Sequence, residues 1–427
     1  MSKFMTQVIN DEILEKLSTK NRFAFINNNL MSVLKPKDFN YLKSCQKFCI
    51  KMEKKYNMTH GPDEDVYKFV PELGKEGIIS RLHKYENLDL NYEPYGMMAN
   101  FMRCLAGTPC APQLALVIGG TELAINPLQL HHENLPVRLE ALKDLVTGKH
   151  HGCILITEPE GGSDAVHQLT ICEEQEDGSY ILNGEKTYNT NAPKAKWAVV
   201  YATAEYKNAN TMTQVLVDTS WDGWNCERVF IPWVPKVHIG LEKLVDLEVP
   251  KEYILGGIGK GREHLFEGLI EERIEIAYMS LCLCWGSLSH AFIYSNMRKQ
   301  FDQEILKFQG VGFLLTDLWA KTMNLTLSLI KFCEAYDEKV EKFNNQLPLN
   351  IRYALVASAS QLKYHCAKLS EEVCYESANL MGGAGLCDNT LTHDFLGSSR
   401  VQEIVGGSRQ IQQYIMSLAL RQLYKRM

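Results

Sequence analysis

The spacing of apolar residues changes twice along the chain, and this change restricts the fold more than any other feature. Residues 1 to about 150 repeat apolar side chains every three or four positions, which is the period of a helix. From about 153 to 250, short β-branched and aromatic runs alternate with Gly, Asn or Asp, as in strands joined by turns. The helical period then returns in long stretches at 262–300, 306–335, 350–381 and 400–424. A helix–sheet–helix order does not fit a doubly wound nucleotide-binding fold.

Composition sets further limits on the class of protein. A chain of 427 residues suggests two or three domains, and 45% apolar with 22% charged residues is typical of soluble globular proteins. The formal charge of −6 disfavours a nucleic-acid-binding protein, because phosphates need a basic surface. The 13 cysteines form no CxxC pair, and the first residues contain no apolar signal segment. We therefore expect a cytoplasmic protein with reduced thiols.

One stretch has the length of a membrane span. Residues 274–294 are largely apolar and are flanked by Arg273 and Arg298. Glu275 and His290 lie inside the stretch, however, and it is rich in Ser and Cys. We predict a buried helix of a bundle and no membrane contact.

The centre of the chain combines a strand, a glycine pair and hydroxyl side chains. The apolar run 154–156 predicts a buried strand that continues into Thr157 and stops at Pro159, which has no N–H to donate. Gly161 and Gly162 permit close approach of a ligand to the backbone. The same pattern also fits an ordinary turn.

A second β segment follows about two dozen residues later. Apolar residues 180–182, Asn183-Gly184 and the residues after them predict a hairpin with its turn at Asn183-Gly184. Together the two segments offer the hydroxyls of Thr157, Ser163 and Thr190 and the ring of Tyr188. Such groups could form a platform for a flat ligand that makes hydrogen bonds.

These two segments resemble signatures of a known family. Thr157-Glu158-Pro159 with Gly162-Ser163-Asp164, and Asn183-Gly184 with Lys186 and Thr190-Asn191, are similar to the two β-domain motifs of the acyl-CoA dehydrogenases. Those flavoenzymes oxidise acyl-CoA thioesters. With later matches, the resemblance covers roughly residues 100 to 420. It implies an α+β multidomain fold with an N-terminal helical domain at 1–152, a middle β-barrel or sandwich domain at 153–255, and a C-terminal four-helix bundle at 256–427.

The resemblance also implies FAD as the cofactor and assigns its contacts. Arg298 with Phe301 and Gln309 resembles the family's Arg-x-x-Phe…Phe-Gln segment, where Arg suits a diphosphate because it is planar and permanently charged. Without the resemblance, a solvated basic helix face would be the preferred interpretation. The implied cofactor-binding residues are Ile154, Ile156, Thr157, Ser163, Tyr188, Thr190, Arg298, Phe301, Gln309, Asn379, Gly383, Ser408 and Gln410; the implied substrate-binding residues are Ser163 and Arg273.

The catalytic base departs from the commonest family pattern. Most members carry Glu-Gly-Thr near the C-terminus, and here Gly406 occupies the position of that Glu. A minority, including isovaleryl-CoA dehydrogenase-like enzymes, place the base on an earlier helix just before an Arg, a position that Glu272 occupies before Arg273. The resemblance therefore implies Glu272 as the base. Taken alone, Glu271-Glu272-Arg273 would suit a charged helix surface.

The resemblance implies a reaction as well. Glu272 would take the α-proton while the N–H of Gly406 stabilises the thioester oxygen over the same substrate, and a hydride would leave the β-carbon for flavin N5. The missing side chain at 406 leaves room for a branched or alicyclic acyl group. Three alternatives stay open: β-elimination, 1,4-dehydrogenation of an alicyclic enoyl-CoA, and a non-catalytic flavoprotein subunit.

Other expectations concern partners, metals and departures from the family. The resemblance implies electron-transfer flavoprotein as the electron acceptor and a homotetramer. The adjacent pairs His131-His132 and His150-His151 predict no metal site, because neighbouring histidines rarely point the same way. Tyr188 replaces a common Trp and Asn379 a common Gln, while Ser398-Ser399 and residues 238–246 depart from family motifs.

Overall fold

The computed structural model describes residues 11–77, 79, 95–133, 135–344, 346–387 and 390–425. The chain divides into two compact units. The sheet unit comprises residues 63–93 and 116–272, and the helical unit comprises residues 1–62, 94–115 and 273–427. The domain boundaries at 152 and 255 stay predictions.

The helices match the stretches with a helical apolar period. In chain order they are α1 (Asp11–Lys16), α2 (Thr19–Leu30), α3 (Pro36–Glu53), α4 (Asp63–Lys75), α5 (Met97–Cys110), α6 (Leu114–His131), α7 (Pro136–Val146), α8 (Gly261–Ser295), α9 (Gln309–Lys342), α10 (Leu349–Met381), α11 (Thr392–Gln402) and α12 (Arg409–Tyr424). The predicted last helix at 400–424 is wrong as a single element. Gly406 and Gly407 interrupt it with φ angles of 61° and 90°, which a helix cannot contain.

The strands fall between α7 and α8, as the sequence predicts, with one further pair before α9. They are β1 (His151–Leu155), β2 (Ile171–Glu174), β3 (Tyr180–Thr190), β4 (Ala195–Thr203), β5 (Met212–Asp218), β6 (Trp224–Val229), β7 (Ile239–Val249), β8 (Ile254–Leu255), β9 (Lys299–Gln300) and β10 (Gln303–Glu304). The first eight form one sheet in the order β6-β7-β3-β2-β4-β5-β8, and β1 pairs with β4 in parallel. Strand β4 is buried along almost its whole length, so its sequence is apolar without alternation.

The predicted hairpin at Asn183-Gly184 is wrong. Strand β3 runs through both residues and pairs with β7 on either side of them, with a register shift between Leu182 and Gly184. Gly184 takes a φ of 157°, and a side chain there would meet Thr170, so the glycine serves a bulge and a close contact instead of a turn.

The core of the helical unit includes the apolar part of α8. Trp285 is fully buried and donates from Nε1 to Thr326 Oγ1 at 3.0 Å. Leu283 packs with Cys374, Leu391 and Phe395 in one buried cluster. Within the described part of the chain, α8 is the one helix long and apolar enough to cross a membrane, and 89% of its most apolar window is buried. The packing is that of a core helix.

Candidate active site

The sheet unit contains a cavity that brings several of the predicted site residues together. It holds about 480 Å³ of empty space, part of which is open to solvent. Helix α6, the end of β1, strands β4 and β5, and the first turns of α8 form its walls. The lining residues are Leu123, Asn126, Pro127, Leu130, His131, Ile154, Ile156, Tyr201, Gln214, His264, Leu265, Gly268 and Glu272. The predicted base and two predicted cofactor contacts, Ile154 and Ile156, therefore share one cavity.

Glu272 reaches this cavity from α8 and is half-buried. Tyr201 lines the same cavity, and burial and the negative charge of Glu272 raise the pKa of its phenol well above the ordinary value. The Tyr201 hydroxyl accepts a hydrogen bond from Gln214 Nε2 at 2.7 Å. Glu272 therefore faces a partly polar wall, and the surface-cluster interpretation of Glu271-Glu272-Arg273 does not hold, since all three side chains are at least partly buried.

A buried ion pair holds the loop that follows β1. Glu158 Oε1 lies 2.8 Å from Lys186 Nζ, and the same carboxylate accepts from the backbone N–H groups of Leu169 and Thr170 at 2.6 and 2.8 Å. Burial lowers the pKa of Lys186 to about 8, against the opposing effect of Glu158. Burial alone would raise the pKa of Glu158, but Lys186 and the hydrogen bonds outweigh it and the pKa is lowered. The pair is charged at neutral pH and holds the loop at a defined position.

Three predicted cofactor contacts near this loop carry free hydroxyls. Thr157 and Thr190 are half-buried and Ser163 is exposed, and none of the three hydroxyls has a hydrogen-bond partner in the part of the chain that the structure describes. Tyr188 lies nearby on β3, with its side chain 64% exposed and a left-handed φ of 61°. The backbone thus turns an aromatic ring outward between residues that are otherwise buried. These groups are available to a ligand.

Gly406, the second predicted catalytic residue, belongs to the helical unit. It lies in a turn between α11 and α12, here named the Gly406 turn (residues 403–408). The N–H of Gly406 has no acceptor among the described residues. Two buried side chains hold the turn. Lys363 Nζ donates to Gly407 O at 2.7 Å and to Glu403 O at 3.3 Å, and Gln412 Nε2 donates to Gly406 O at 2.8 Å and to Gly407 O at 3.0 Å.

The other predicted residues of the helical unit lie mainly at its surface. Ser408 caps α12 by accepting from the N–H of Ile411 at 3.5 Å. Arg298 is exposed and forms no ion pair within the described ranges, and Phe301 is 88% exposed. Arg273, in contrast, is 2% exposed. The remaining predicted residues are exposed: Gln309, Asn379, Gly383 and Gln410.

Sequence reasoning missed five residues that shape these places: Tyr201, Gln214 and His264 in the cavity, and Lys363 and Gln412 beneath the Gly406 turn. Each meets its partners only through tertiary packing. The one available signal was a Lys on α10 whose neighbours at helical spacing, such as Ala359, Cys366 and Ala367, are apolar.

Comparison with known proteins decides the family. A sequence profile described as acyl-CoA dehydrogenase, middle domain, matches residues 153–231, and one described as acyl-CoA dehydrogenase, C-terminal domain, matches residues 259–420. The chain belongs to the acyl-CoA dehydrogenase family. This confirms the resemblance and the multidomain fold of helices around a β domain.

Individual members of the family are similar over most of the chain. The chain is 28% identical to the caffeyl-CoA reductase-Etf complex subunit CarC of Acetobacterium woodii over 281 residues, which is 65% of this chain and 70% of that protein. It is 26% identical to mitochondrial isovaleryl-CoA dehydrogenase of Oryza sativa subsp. japonica, over 86% of this chain and 85% of the relative. A structure of an acyl-CoA dehydrogenase complexed with FAD, from Bacillus anthracis, superposes with a TM-score of 0.80 at 20% identity, covering 92% of this chain and 70% of that one.

Proposed function

We propose that this protein is an FAD-dependent acyl-CoA dehydrogenase that forms an α,β-unsaturated thioester. The observation that carries the proposal is the cavity of the sheet unit, which Glu272 lines together with Ile154 and Ile156. The acyl-CoA dehydrogenase family supplies the reaction class, and Glu272 supplies a carboxylate at a place where a substrate could reach it.

The residues present fit FAD. The hydroxyls of Thr157, Ser163 and Thr190 are unpartnered among the described residues, and Tyr188 presents an exposed aromatic face beside them. Arg298 provides an exposed guanidinium for a diphosphate. When bound, FAD supplies an acceptor for the hydride that leaves the β-carbon. The related structure complexed with FAD supports this assignment.

Glu272 acts as the base in the proposed reaction. The α C–H bond of the thioester breaks, its proton goes to the Glu272 carboxylate, and the electron pair forms the α,β double bond as hydride leaves the β-carbon. The half-buried position of Glu272 favours this role, because a general base in a partly dry cavity meets the C–H bond with less water around it. The similarity of the whole chain to isovaleryl-CoA dehydrogenase is consistent with a base on this helix.

Gly406 provides a main-chain donor for the thioester oxygen. Charge builds on that oxygen as the α-proton leaves, and a preorganised N–H stabilises it. The N–H of Gly406 is unpartnered within the described chain, and Lys363 and Gln412 fix the turn that carries it. The absent side chain leaves space for a branched or alicyclic acyl group.

A second candidate is the same chemistry in the opposite direction. The similarity to a caffeyl-CoA reductase subunit favours an enoyl-CoA reductase, in which Glu272 donates the α-proton. The name of that relative also supports an electron-transfer flavoprotein as the redox partner. We further propose a homotetramer, as the family resemblance implies.

An anaerobic titration of the purified flavoprotein tests the function. Straight-chain, branched, alicyclic and aromatic acyl-CoA thioesters are added singly, and the flavin absorbance near 450 nm, a property of oxidised flavin, is followed. We expect at least one saturated thioester to bleach the flavin, with the matching enoyl-CoA as product. If the reduced protein is instead reoxidised by enoyl-CoA while saturated thioesters leave it oxidised, the reductase is the correct assignment. A protein that binds no flavin would contradict both.

A further inference from the structure

The wall of the cavity that α6, β5 and α8 share carries polar groups that the proposed reaction does not use. These are Asn126 on α6, Gln214 on β5, and the stacked rings of His131 and His264. The ring centroids lie 3.7 Å apart with 25° between the planes. None of these four side chains is among the predicted cofactor contacts or takes part in the proposed proton transfer.

The hydrogen bonds of Gln214 fix the tautomer of His264. Gln214 Nε2 donates to the Tyr201 hydroxyl at 2.7 Å, so Gln214 Oε1 is the atom that accepts from His264 Nδ1 at 3.2 Å. The proton of a neutral His264 therefore resides on Nδ1, and its Nε2 is an acceptor. Burial, and secondarily the nearby His131, lower the pKa of His264 to about 4, so the ring is neutral at physiological pH.

Asn126 adds a second acceptor. Its side chain is 4% exposed, and its Oδ1 accepts no hydrogen bond in the part of the chain that the structure describes. Nearly all buried polar atoms in folded proteins have a partner, so a water or a ligand group that supplies a donor would satisfy this oxygen. Asn126 and His264 both line the cavity, and each carries an acceptor atom that has no donor in the part of the chain that the structure describes.

The surrounding charge determines which ligand suits these acceptors. Glu272 lines the cavity, and the carboxylate of Glu267 lies 3.6 Å from His131 Nε2. Glu272 in the lining, with Glu267 behind His131, disfavours a carboxylate on the acyl group. A neutral O–H group can donate to an acceptor and remain uncharged.

We propose that this wall recognises a hydroxyl group on the acyl chain, so that the preferred substrates are hydroxylated acyl-CoA thioesters. This inference rests on the proposed function, since it concerns the acyl group of the same reaction. Asn126 and His264 are specificity residues in this proposal and take no part in the proton transfer.

Paired thioesters test the proposal with the flavin-containing protein. The pairs are 3-(4-hydroxyphenyl)propanoyl-CoA with 3-phenylpropanoyl-CoA, and 5-hydroxypentanoyl-CoA with pentanoyl-CoA. Dissociation constants are measured by calorimetry with the matching enoyl-CoA products, and KM and kcat are measured with the saturated forms. We expect the hydroxylated member of at least one pair to bind about fivefold more tightly, which is the typical net effect of one hydrogen bond, and to have a correspondingly lower KM.

Variants locate the source of the preference. Asn126→Leu should reduce the ratio within the pair to about one, and Gln129→Leu should leave it unchanged, because Gln129 lies on the same helix outside the cavity. His264→Phe keeps an aromatic ring against His131 but removes the acceptor nitrogen, so it should also reduce the ratio. This second variant tests the proposal even if N126L does not fold.

The outcomes distinguish a failure of hydroxyl recognition from a failure of the proposed dehydrogenase activity. Equal binding and turnover of both members of each pair overturns the hydroxyl proposal and leaves the dehydrogenase intact. A preference that survives in both N126L and H264F also overturns it. If no thioester reduces the flavin and no enoyl-CoA reoxidises the reduced protein, the proposed function falls, and this inference falls with it.

Discussion

The cavity of the sheet unit and the Gly406 turn of the helical unit present their reactive groups in different ways. In the cavity, the groups are side chains: Glu272 and His264 project from α8, Tyr201 from β4 and Gln214 from β5. In the turn, the proposed group is a backbone N–H, and the side chains of Lys363 and Gln412 serve only to hold the backbone. A side-chain site can be changed one residue at a time, whereas a main-chain donor is altered only through its supports.

This difference predicts how each region fails. Loss of a buried support in the sheet unit should lower stability, because it leaves a charge without its partner. Loss of a support under the Gly406 turn should lower the rate more than the stability, because carbonyl groups at a half-buried turn can turn to water.

The largest effect on folding is expected from Lys186→Met. The substitution leaves Glu158 buried without its ion-pair partner, and such a loss costs about 3–5 kcal/mol. Urea unfolding at pH 7 measures it. Lys243→Met, whose side chain is 66% exposed, is the matched control and should change little. The double variant Glu158→Gln/Lys186→Met should recover part of the lost stability, because it also removes the buried charge. A free energy of unfolding in K186M equal to that of the wild type would show that the ion pair does not hold the loop.

A pH-dependent effect is expected from Glu242, a residue of β7 that accepts from the side-chain amide of Asn189. Burial raises the pKa of Glu242 to about 7, above its ordinary value. Between these two pKa values the folded protein keeps a proton that the unfolded chain has lost, so the free energy of unfolding falls as pH rises, by about 2–3 kcal/mol from pH 5 to 8.

Glu242→Gln should remove this part of the pH dependence. Denaturant unfolding at pH 5, 6, 7 and 8 compares the variant with the wild type, and the advantage of the variant should grow with pH. Glu248→Gln, at an exposed position of the same strand, should follow the wild-type curve. Parallel curves for E242Q and the wild type would show that Glu242 ionises normally.

A smaller effect, on rate, is expected from Lys363→Met. Without the ammonium group the carbonyl of Glu403 loses its Lys363 donor, the carbonyl of Gly407 keeps only its bond from Gln412, and the Gly406 N–H loses its fixed direction. We expect flavin reduction at saturating thioester to slow about 30-fold, with the midpoint of urea unfolding lowered less than in K186M. Lys363→Arg should restore part of the rate, and Lys331→Met, at a side chain that is 81% exposed, should have none of these effects. An unchanged rate in K363M would remove Lys363 as a positioning residue.

Much of the fold follows from the sequence, and the exceptions have physical reasons. The two changes of apolar period locate the sheet between helical regions correctly. Asn183-Gly184 predicts a turn from local chemistry, yet the long strand β7 pairs on both sides of it and keeps β3 extended. Helical apolar spacing continues across 400–424, and only the positive φ angles of Gly406 and Gly407 reveal the break.

The candidate site was less accessible to sequence reasoning. A family pattern in which the base moves to an earlier helix predicts Glu272, and the structure places this residue in the lining of the cavity; its role as the base stays a prediction. Lys363 and Gln412 carry no local signature. The carbonyl groups that Lys363 holds lie 40 and 44 residues further along the chain, and those that Gln412 holds lie 6 and 5 residues before it, outside its own helix. The His131–His264 stack joins residues from two helices that are far apart in sequence, so the local sequence around either histidine could not predict it.

The central claim is that Glu272 is the proton-abstracting base. Rapid-mixing measurement of flavin reduction by a saturated acyl-CoA, under anaerobic conditions, compares the wild type with Glu272→Gln and with Glu263→Gln, an exposed carboxylate on the same helix. The account predicts that E272Q slows flavin reduction about 10³-fold, within the range for loss of a general base, while thioester binding stays within a few-fold and E263Q reduces at the wild-type rate. Wild-type flavin reduction in E272Q would contradict the account.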